Sequence, residues 1–570
     1  MRIERLREIV AGVCIGALLI PSTPGGTSGS TAGGRQATAS QTTSGQGAPA
    51  GNGKAAVCAV TAETAPPLSA PMSAALKLYR TGKFAEAIAA YQAILPAGGG
   101  EAAAAYAGLT RVYLKQKNVA AAADAAQKAV ALTPDHAPAI VAQAEVYFRQ
   151  GKIPDAEAAF LKPLLACNLD ARAFLGLNRI HQVSLNYKHA KSEIDQAYIL
   201  DPADPDIRRE YLDTLRGEAR IQALEAYLSG DFGDDAELLN GMREELALLK
   251  GQAEHPQKRC TLTKKVTSTE VPLERLLQDP THMRGYGLVV KVNGVNSKLM
   301  VDTGASGITI DRRIAEKAGV KALFETTLGG SGDKGPGSAF VGYADRIQIG
   351  DLEFQDCIIE VSTKRAALGD DGLIGANVFR SFLVDMNMPD EKLKLSELPR
   401  LPDEAEAPTS LDSEASAEVH WHDRYVPGEM KDFTRVYIMN QKLIIPTSVN
   451  KSPSMLFMVD TGSFDNTLSL AAAREVTKVN QEPDFQVKGL SGNVKDVYSA
   501  SKATIQFSHF RQERTDLIAF DLTHLSDWLE TELSGVLGFA MLRMLDLKID
   551  YRDGLVNFTY DAKRFHQPPI

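Results

Sequence analysis

The segments Met300-Val-Asp302-Thr303-Gly304-Ala305-Ser306 and Met458-Val-Asp460-Thr461-Gly462-Ser463-Phe464 repeat one order of residue types: two apolar residues, an aspartate, then Thr-Gly. Working outward, Leu288-Val-Val-Lys-Val292, the pair Asn293-Gly294 and Lys298-Leu-Met-Val301 read as a β-hairpin that delivers Asp302 at a strand end. Short helical stretches follow at Arg312 to Ala318 and Ser469 to Val476. Glycine-rich tips come next, at Gly329-Gly330-Ser331-Gly332 and Gly489-Leu490-Ser491-Gly492. Two apolar residues and a glycine then recur as Leu373-Ile374-Gly375 and Val536-Leu537-Gly538. Both halves close on an apolar strand near an aspartate, Leu383-Val-Asp385 and Lys548-Ile-Asp550. On the order of 0.1 chance copies of Asp-Thr-Gly are expected in a chain of this length. Two copies with the same surroundings are a duplicated unit.

This pattern resembles the aspartic proteases, most closely the retropepsin-like domain of bacterial proteins, over 273–396 and again over 432–560. The resemblance implies two all-β domains that form an intramolecular pseudodimer, with Asp302 and Asp460 as the catalytic pair. It also implies that Thr303, Gly304, Thr461 and Gly462 support the loops. Gly330, Ser331 and Gly332, with Leu490, Ser491 and Gly492, become flap tips. Leu373, Ile374, Gly375, Val536, Leu537 and Gly538 pack behind the loops. Two copies matter chemically, because one carboxylate cannot both deprotonate water and protonate a carbonyl. Two carboxyls about 3 Å apart share one proton and divide those roles. The second copy departs at Phe464, where the first has Ser306, and its tip lacks the tandem glycine. Phe464 either packs under the loop or occludes it. Pairing of equivalent halves between two chains is the alternative arrangement.

Upstream lies a helical repeat. Gly82, Lys117, Gly151 and Leu185 recur at 34 or 35 residues, with Ala87, Ala122, Ala156 and Ala190 five residues after each. Tyr91, Ala126, Phe160 and Ile194 follow one turn later. Small residues at a helix crossing and larger apolar ones a turn on suit stacked helix pairs. The segment 72–215 resembles tetratricopeptide (TPR) repeats, which implies an all-α solenoid and a surface for a peptide or protein partner. Helical patterning continues as a connector over 216–260.

Composition narrows the function classes. The 570 residues carry 62 Lys plus Arg against 71 Asp plus Glu, a net charge of −9. That balance, without a basic cluster, argues against nucleic-acid binding. Cys14, Cys58, Cys167, Cys260 and Cys357 form neither a disulfide framework nor a CxxC pair; Cys260 and Cys357 are candidates for pairing after export. His420 and His422 alone make a poor metal site, and no metal or cofactor is expected. Gly330-Ser-Gly-Asp-Lys-Gly335 matches a dinucleotide pattern, but β-type residues follow where that fold needs a helix. Arg2, Arg5 and Arg7 precede the apolar run Ile9 to Ile20, so 1–21 reads as an export signal, or alternatively as an uncleaved anchor. Residues 22–66 read as a Gly/Ser/Thr/Ala-rich tether, and 401–423 as an acidic linker.

The expectation is an exported, periplasmic or secreted, aspartic endopeptidase that hydrolyses peptide bonds through an Asp302/Asp460 pair. Its repeats would recruit a substrate or partner. Self-processing in the acidic linker is a further outcome. The alternative is a non-catalytic TPR scaffold whose protease-like domains only bind peptide.

Overall fold

The computed structural model describes residues 68–166, 169–234, 236–254, 260–264, 266–280, 282–328, 337–363, 371–402, 421–481, 487–489, 492–494, 496–515 and 517–565. The signal or anchor, the tether, most of the acidic linker, Gly330 to Gly332, Leu490 and Ser491 lie outside the described residues. Gly492 begins a short strand, Gly492–Val494, paired with Val487–Gly489.

The N-terminal half is a stack of antiparallel helix pairs: α1 Ala70–Arg80 with α2 Phe84–Ile94, α3 Gly99–Lys115 with α4 Val119–Leu132, α5 Ala137–Arg149 with α6 Ile153–Leu165, and α7 Ala171–Val183 with α8 Tyr187–Leu200. The recurring positions Gly82, Lys117, Gly151 and Leu185 are the turn residues of these pairs, all left-handed with φ of 67°, 60°, 73° and 60°. Glycine takes that conformation without steric cost, whereas Lys117 and Leu185 adopt it against their own side chains. The repeat alanines are buried at the crossings. The larger residues meet glycines of the next helix, Tyr91 against Gly108 and Phe160 against Gly176, where an added Cβ would lie 2.4 and 2.2 Å from the ring.

The stack continues through α9 Pro205–Leu212, α10 Gly217–Leu228 and α11 Ala236–Glu254, so the segment read as a connector prolongs the solenoid. Its ends meet. The Tyr79 hydroxyl of α1 donates to Asp206 of α9 at 2.9 Å, and Arg80 pairs with Asp201. Gly82 and Gly233 approach so closely that a Cβ on Gly82 would be 2.3 Å from Gly233 Cα. Asp206 also receives Arg172 and Lys115, so helices distant in sequence converge on one buried carboxylate. Those cations hold the Asp206 carboxyl well below its usual range, against the burial that would raise it.

The C-terminal half is two β-lobes built on one plan. In the first, the strand Val295–Asp302 runs between antiparallel His282–Val292 and parallel Gly372–Gly375. In the second, Met455–Asp460 runs between antiparallel Lys442–Val449 and parallel Gly535–Gly538. The short helices fall where the sequence places them, at Arg312–Lys317 and Leu470–Val476, capped by Asp311 and Ser469. A six-stranded sheet joins the lobes. At its centre the two closing strands pair antiparallel, Leu383 opposite Asp550 and Asp385 opposite Lys548. Equivalent strands pairing antiparallel are what a twofold axis between two copies produces. One hydrophobic core runs through both lobes and that sheet, and the disulfide Cys260–Cys357 ties the entry of the first lobe to the strand Leu352–Ser362.

The helical stack is not separate from the β half. Val141, Phe148, Phe160, Leu177 and Ile180 share a core with Met439, Leu456, Met458, Trp528 and Val536 of the second lobe. The Thr531 hydroxyl donates to Phe148 O at 2.6 Å, Glu532 N donates to Arg149 O at 2.9 Å, and Arg149 pairs with Asp527. Asp423 accepts the backbone N–H groups of Lys188 and His189 at 3.1 and 3.2 Å, so it caps α8 from the far end of the linker.

Candidate active site

Each lobe ends its middle strand in Asp-Thr-Gly, and the twofold brings the two turns face to face. Thr303 N donates to Thr461 Oγ1 and Thr461 N to Thr303 Oγ1, both at 3.0 Å. Each hydroxyl then donates onward across the junction, Thr303 to Val459 O and Thr461 to Val301 O, both at 2.8 Å. Both threonines are buried, so the four bonds form in a weakly screened interior and fix the loops relative to one another. Only a hydroxyl can accept and donate at once in so small a volume.

The glycines that follow serve two ends. Gly304 N donates to Asp302 Oδ1 at 2.8 Å, and Gly462 N to Asp460 Oδ1 at 2.8 Å, with Ser463 N adding a bond at 3.2 Å. Each glycine also faces the opposite carboxyl: a Cβ on Gly304 would lie 2.4 Å from Asp460 Cγ, and one on Gly462 would lie 2.4 Å from Asp302 Cγ. No side chain fits at either position while the carboxyls stay this close.

Asp302 and Asp460 are hydrogen-bonded to each other. Burial pushes the Asp302 carboxyl well above the usual carboxylate range, and the Asp460 charge and the hydrogen bond to it add to the rise. Lys442 and the Gly304 N–H pull the other way. Two like groups in one desolvated site cannot both ionise cheaply, so the pair keeps one proton.

Behind the turns run the two apolar segments. Leu373 and Ile374 are buried, as are Val536 and Leu537. Gly375 N donates to Gly307 O at 2.8 Å, and Gly538 N donates to Asn466 Oδ1 at 2.8 Å. A Cβ at Gly375 would meet Ala305 O at 2.6 Å, and one at Gly538 would meet Asp465 O at 2.4 Å, so these strands press directly on the loops. Phe464 does not tuck beneath its loop. It is 46% exposed, with its ring 6.4 Å from that of Phe539. Its backbone carbonyl accepts Ala540 N at 2.7 Å.

Several site residues carry no motif in the sequence. Asn377 accepts Gly307 N at 3.2 Å and reaches Gln441 of the other lobe. Lys442 donates to Ser306 Oγ at 2.5 Å. No pattern in the sequence marks Lys442; only the fold shows what it faces. Among the described residues no group of three or more His, Cys, Asp or Glu side chains is arranged to hold a metal ion.

Residues 288–378, which contain Asp302, match the aspartyl protease family, and residues 72–137 match the tetratricopeptide repeat family. No curated protein matches the chain. The chain therefore joins tetratricopeptide repeats to a retropepsin-like aspartyl protease domain.

Proposed function

We propose that this chain is an exported aspartic endopeptidase in which Asp302 and Asp460 activate one water against a peptide bond. The observation that carries the reading is the interlocked pair of Asp-Thr-Gly turns, which brings the two carboxyls together inside a single chain. One carboxyl of the pair enters protonated and serves as the acid, and the other enters ionised and serves as the base. Water oxygen attacks the carbonyl carbon and gives a proton to the ionised carboxyl, while the protonated one donates its proton to the carbonyl oxygen. The tetrahedral diol collapses as its C–N bond breaks. The carboxyl that took the water proton returns it to the leaving amine, and the other recovers one from the diol, so the pair is restored. The threonine interlock supports catalysis by holding the carboxyls in place through both proton transfers.

Export is supported by the basic and apolar N-terminal sequence and by the Cys260–Cys357 disulfide, which persists in an oxidising compartment. Recruitment of a substrate or partner by the repeats rests on the repeat family alone.

Digestion of a peptide library across pH by the wild-type chain and by its Asp302→Asn and Asp460→Asn variants tests the reading. Cleavage by the wild type, abolished in both folded variants, is the expected result. Wild-type-like turnover in either variant rules out a shared pair. Peptide binding without any turnover makes the chain a binding scaffold instead.

A further inference from the structure

The hairpin Tyr437 to Val449 turns through Asn440 and Gln441, both left-handed with φ of 49° and 63°, and Met439 pairs with Lys442 across it. Three successive side chains leave this turn with separate targets. Asn440 Nδ2 donates to Trp528 O at 2.9 Å within its own lobe. Gln441 accepts from Asn377, and Asn377 in turn holds Gly307 N of the first lobe's loop. Lys442 Nζ donates to Ser306 Oγ at 2.5 Å and lies 5.2 Å from the centre of the Trp528 ring. Ser306 and Gly307 come directly after Asp302-Thr-Gly-Ala. The second lobe thus grips the first lobe's catalytic loop with Lys442, a lysine only 5% exposed.

The twofold does not repeat this arrangement. In the second lobe Ile444 faces Met458, so Lys442, two residues before, stands at the level of Asp460, two residues after. In the first lobe Gly287 faces Met300, which puts Gly285 at the level of Asp302. A Cβ at Gly285 would meet nothing closer than the Met300 side chain at 3.4 Å, so the backbone there does not itself require glycine. Nevertheless one side of the pair has a buried cation and the other has glycine.

We propose that Lys442 is a positioning residue of the catalytic pair: fixed on Ser306, its ammonium makes the two carboxyls unequal and holds one of them ionised. The inference rests on the dyad reading proposed above. An isolated carboxylate in a desolvated site takes up a proton readily; a neighbouring fixed cation, weakly screened there, opposes that uptake. Lys442 acts downward on Asp302, against the burial and the Asp460 charge that raise it. Among the described residues the buried Tyr551 phenol also interacts with Asp302; it is itself pushed up by burial and by Asp302, so it stays neutral. Lys442 therefore preserves the single negative charge that accepts the proton from water, and extends the working range of the pair toward acid.

Titration of 13C-labelled aspartate carboxyls by NMR tests this, with Asp302→Asn and Asp460→Asn assigning the signals. In Lys442→Met and Lys442→Gln, the step at which the pair takes its second proton moves up by about one pH unit. In Lys442→Arg it stays within about 0.3 unit of wild type. The acid limb of kcat/KM moves with it in the same variants, with KM changed less than about threefold. Lys442→Gln keeps a hydrogen bond to Ser306 without the charge, and it guards against a fold that tolerates no methionine. A wild-type titration in both neutral variants overturns the proposal; so does a shift in the Met variant that is absent in Gln, which assigns the effect to the tether. Failure of the wild-type chain to cleave any peptide sinks the peptidase reading and leaves the carboxyl titration readable.

Discussion

Thr303 and Thr461 each accept the other's backbone N–H at 3.0 Å, and each passes its own hydroxyl proton to the strand that carries the other's aspartate. Because the bonds are reciprocal, neither loop is held by its own lobe alone. Thr303→Val or Thr461→Val leaves a buried N–H and a buried carbonyl without partners, and each is expected to cost about 1–3 kcal/mol. The double variant costs less than the sum of the singles, because the first change already breaks the shared network. Urea unfolding of the four chains measures the coupling, and strict additivity contradicts it.

Asp302→Asn is expected to abolish cleavage while stabilising the fold at neutral pH. The folded-state carboxyl is raised above its unfolded value near 3.9, so the stability it contributes is fully present below that pH and is lost as pH rises toward the folded value. Asparagine carries no such penalty. The stability gap between variant and wild type therefore closes below about pH 4 and widens above it, as melting curves across pH will report. A gap independent of pH contradicts this.

The shared sheet carries a second pH dependence. Asp546 is hydrogen-bonded to Asp385 across the central strand pair, and burial followed by that carboxyl pushes it up to about 7, against Lys548 and Arg564. Its contribution is present below the unfolded value near 3.9 and lost as pH rises through about 7. Asp546→Asn should flatten the fall in unfolding free energy between about pH 4 and 7. Unchanged slopes would remove this pair from the account.

Docking of the helical stack should reach the second aspartate's loop. Gly151 is left-handed at φ 73°, and an added Cβ would lie 3.1 Å from Glu532 O and 3.2 Å from the Leu456 side chain. Ser534 N donates to Leu456 O at 2.8 Å, just before the strand Gly535–Gly538 that backs Asp460. Gly151→Leu is expected to cost about 1–3 kcal/mol and to speed amide exchange through 533–538. Exchange confined to the helices would show that the stack does not support that loop.

Replacing Cys260 and Cys357 by serine opens a connection spanning 97 residues and is expected to cost about 2–5 kcal/mol. Equal unfolding midpoints with and without the disulfide would contradict that.

Much was legible before any coordinates. The hairpin ending at Asp302, the short helices after each aspartate and the repeat turns all depend on local rules: alternation, capping residues and turn residues. The duplicated Asp-Thr-Gly also named the two carboxyls that the fold brings together. Phe464 was ambiguous, because whether a ring packs beneath a loop or occludes it depends on volume supplied by distant residues such as Phe539.

By itself, then, the sequence determined the helical stack, the two β-lobes and the pair of aspartates, since each is written in short periodic patterns. Tertiary structure alone decided three things. The stack closes on itself through Tyr79 and Asp206 and docks behind the second lobe through Phe148 and Arg149. Cys260 meets Cys357. Lys442 reaches Ser306 of the other lobe, which places one cation beside a pair that the sequence presents as equals. These relations join residues separated by tens to hundreds of positions, and burial and electrostatics act on distance in space, which no local pattern records.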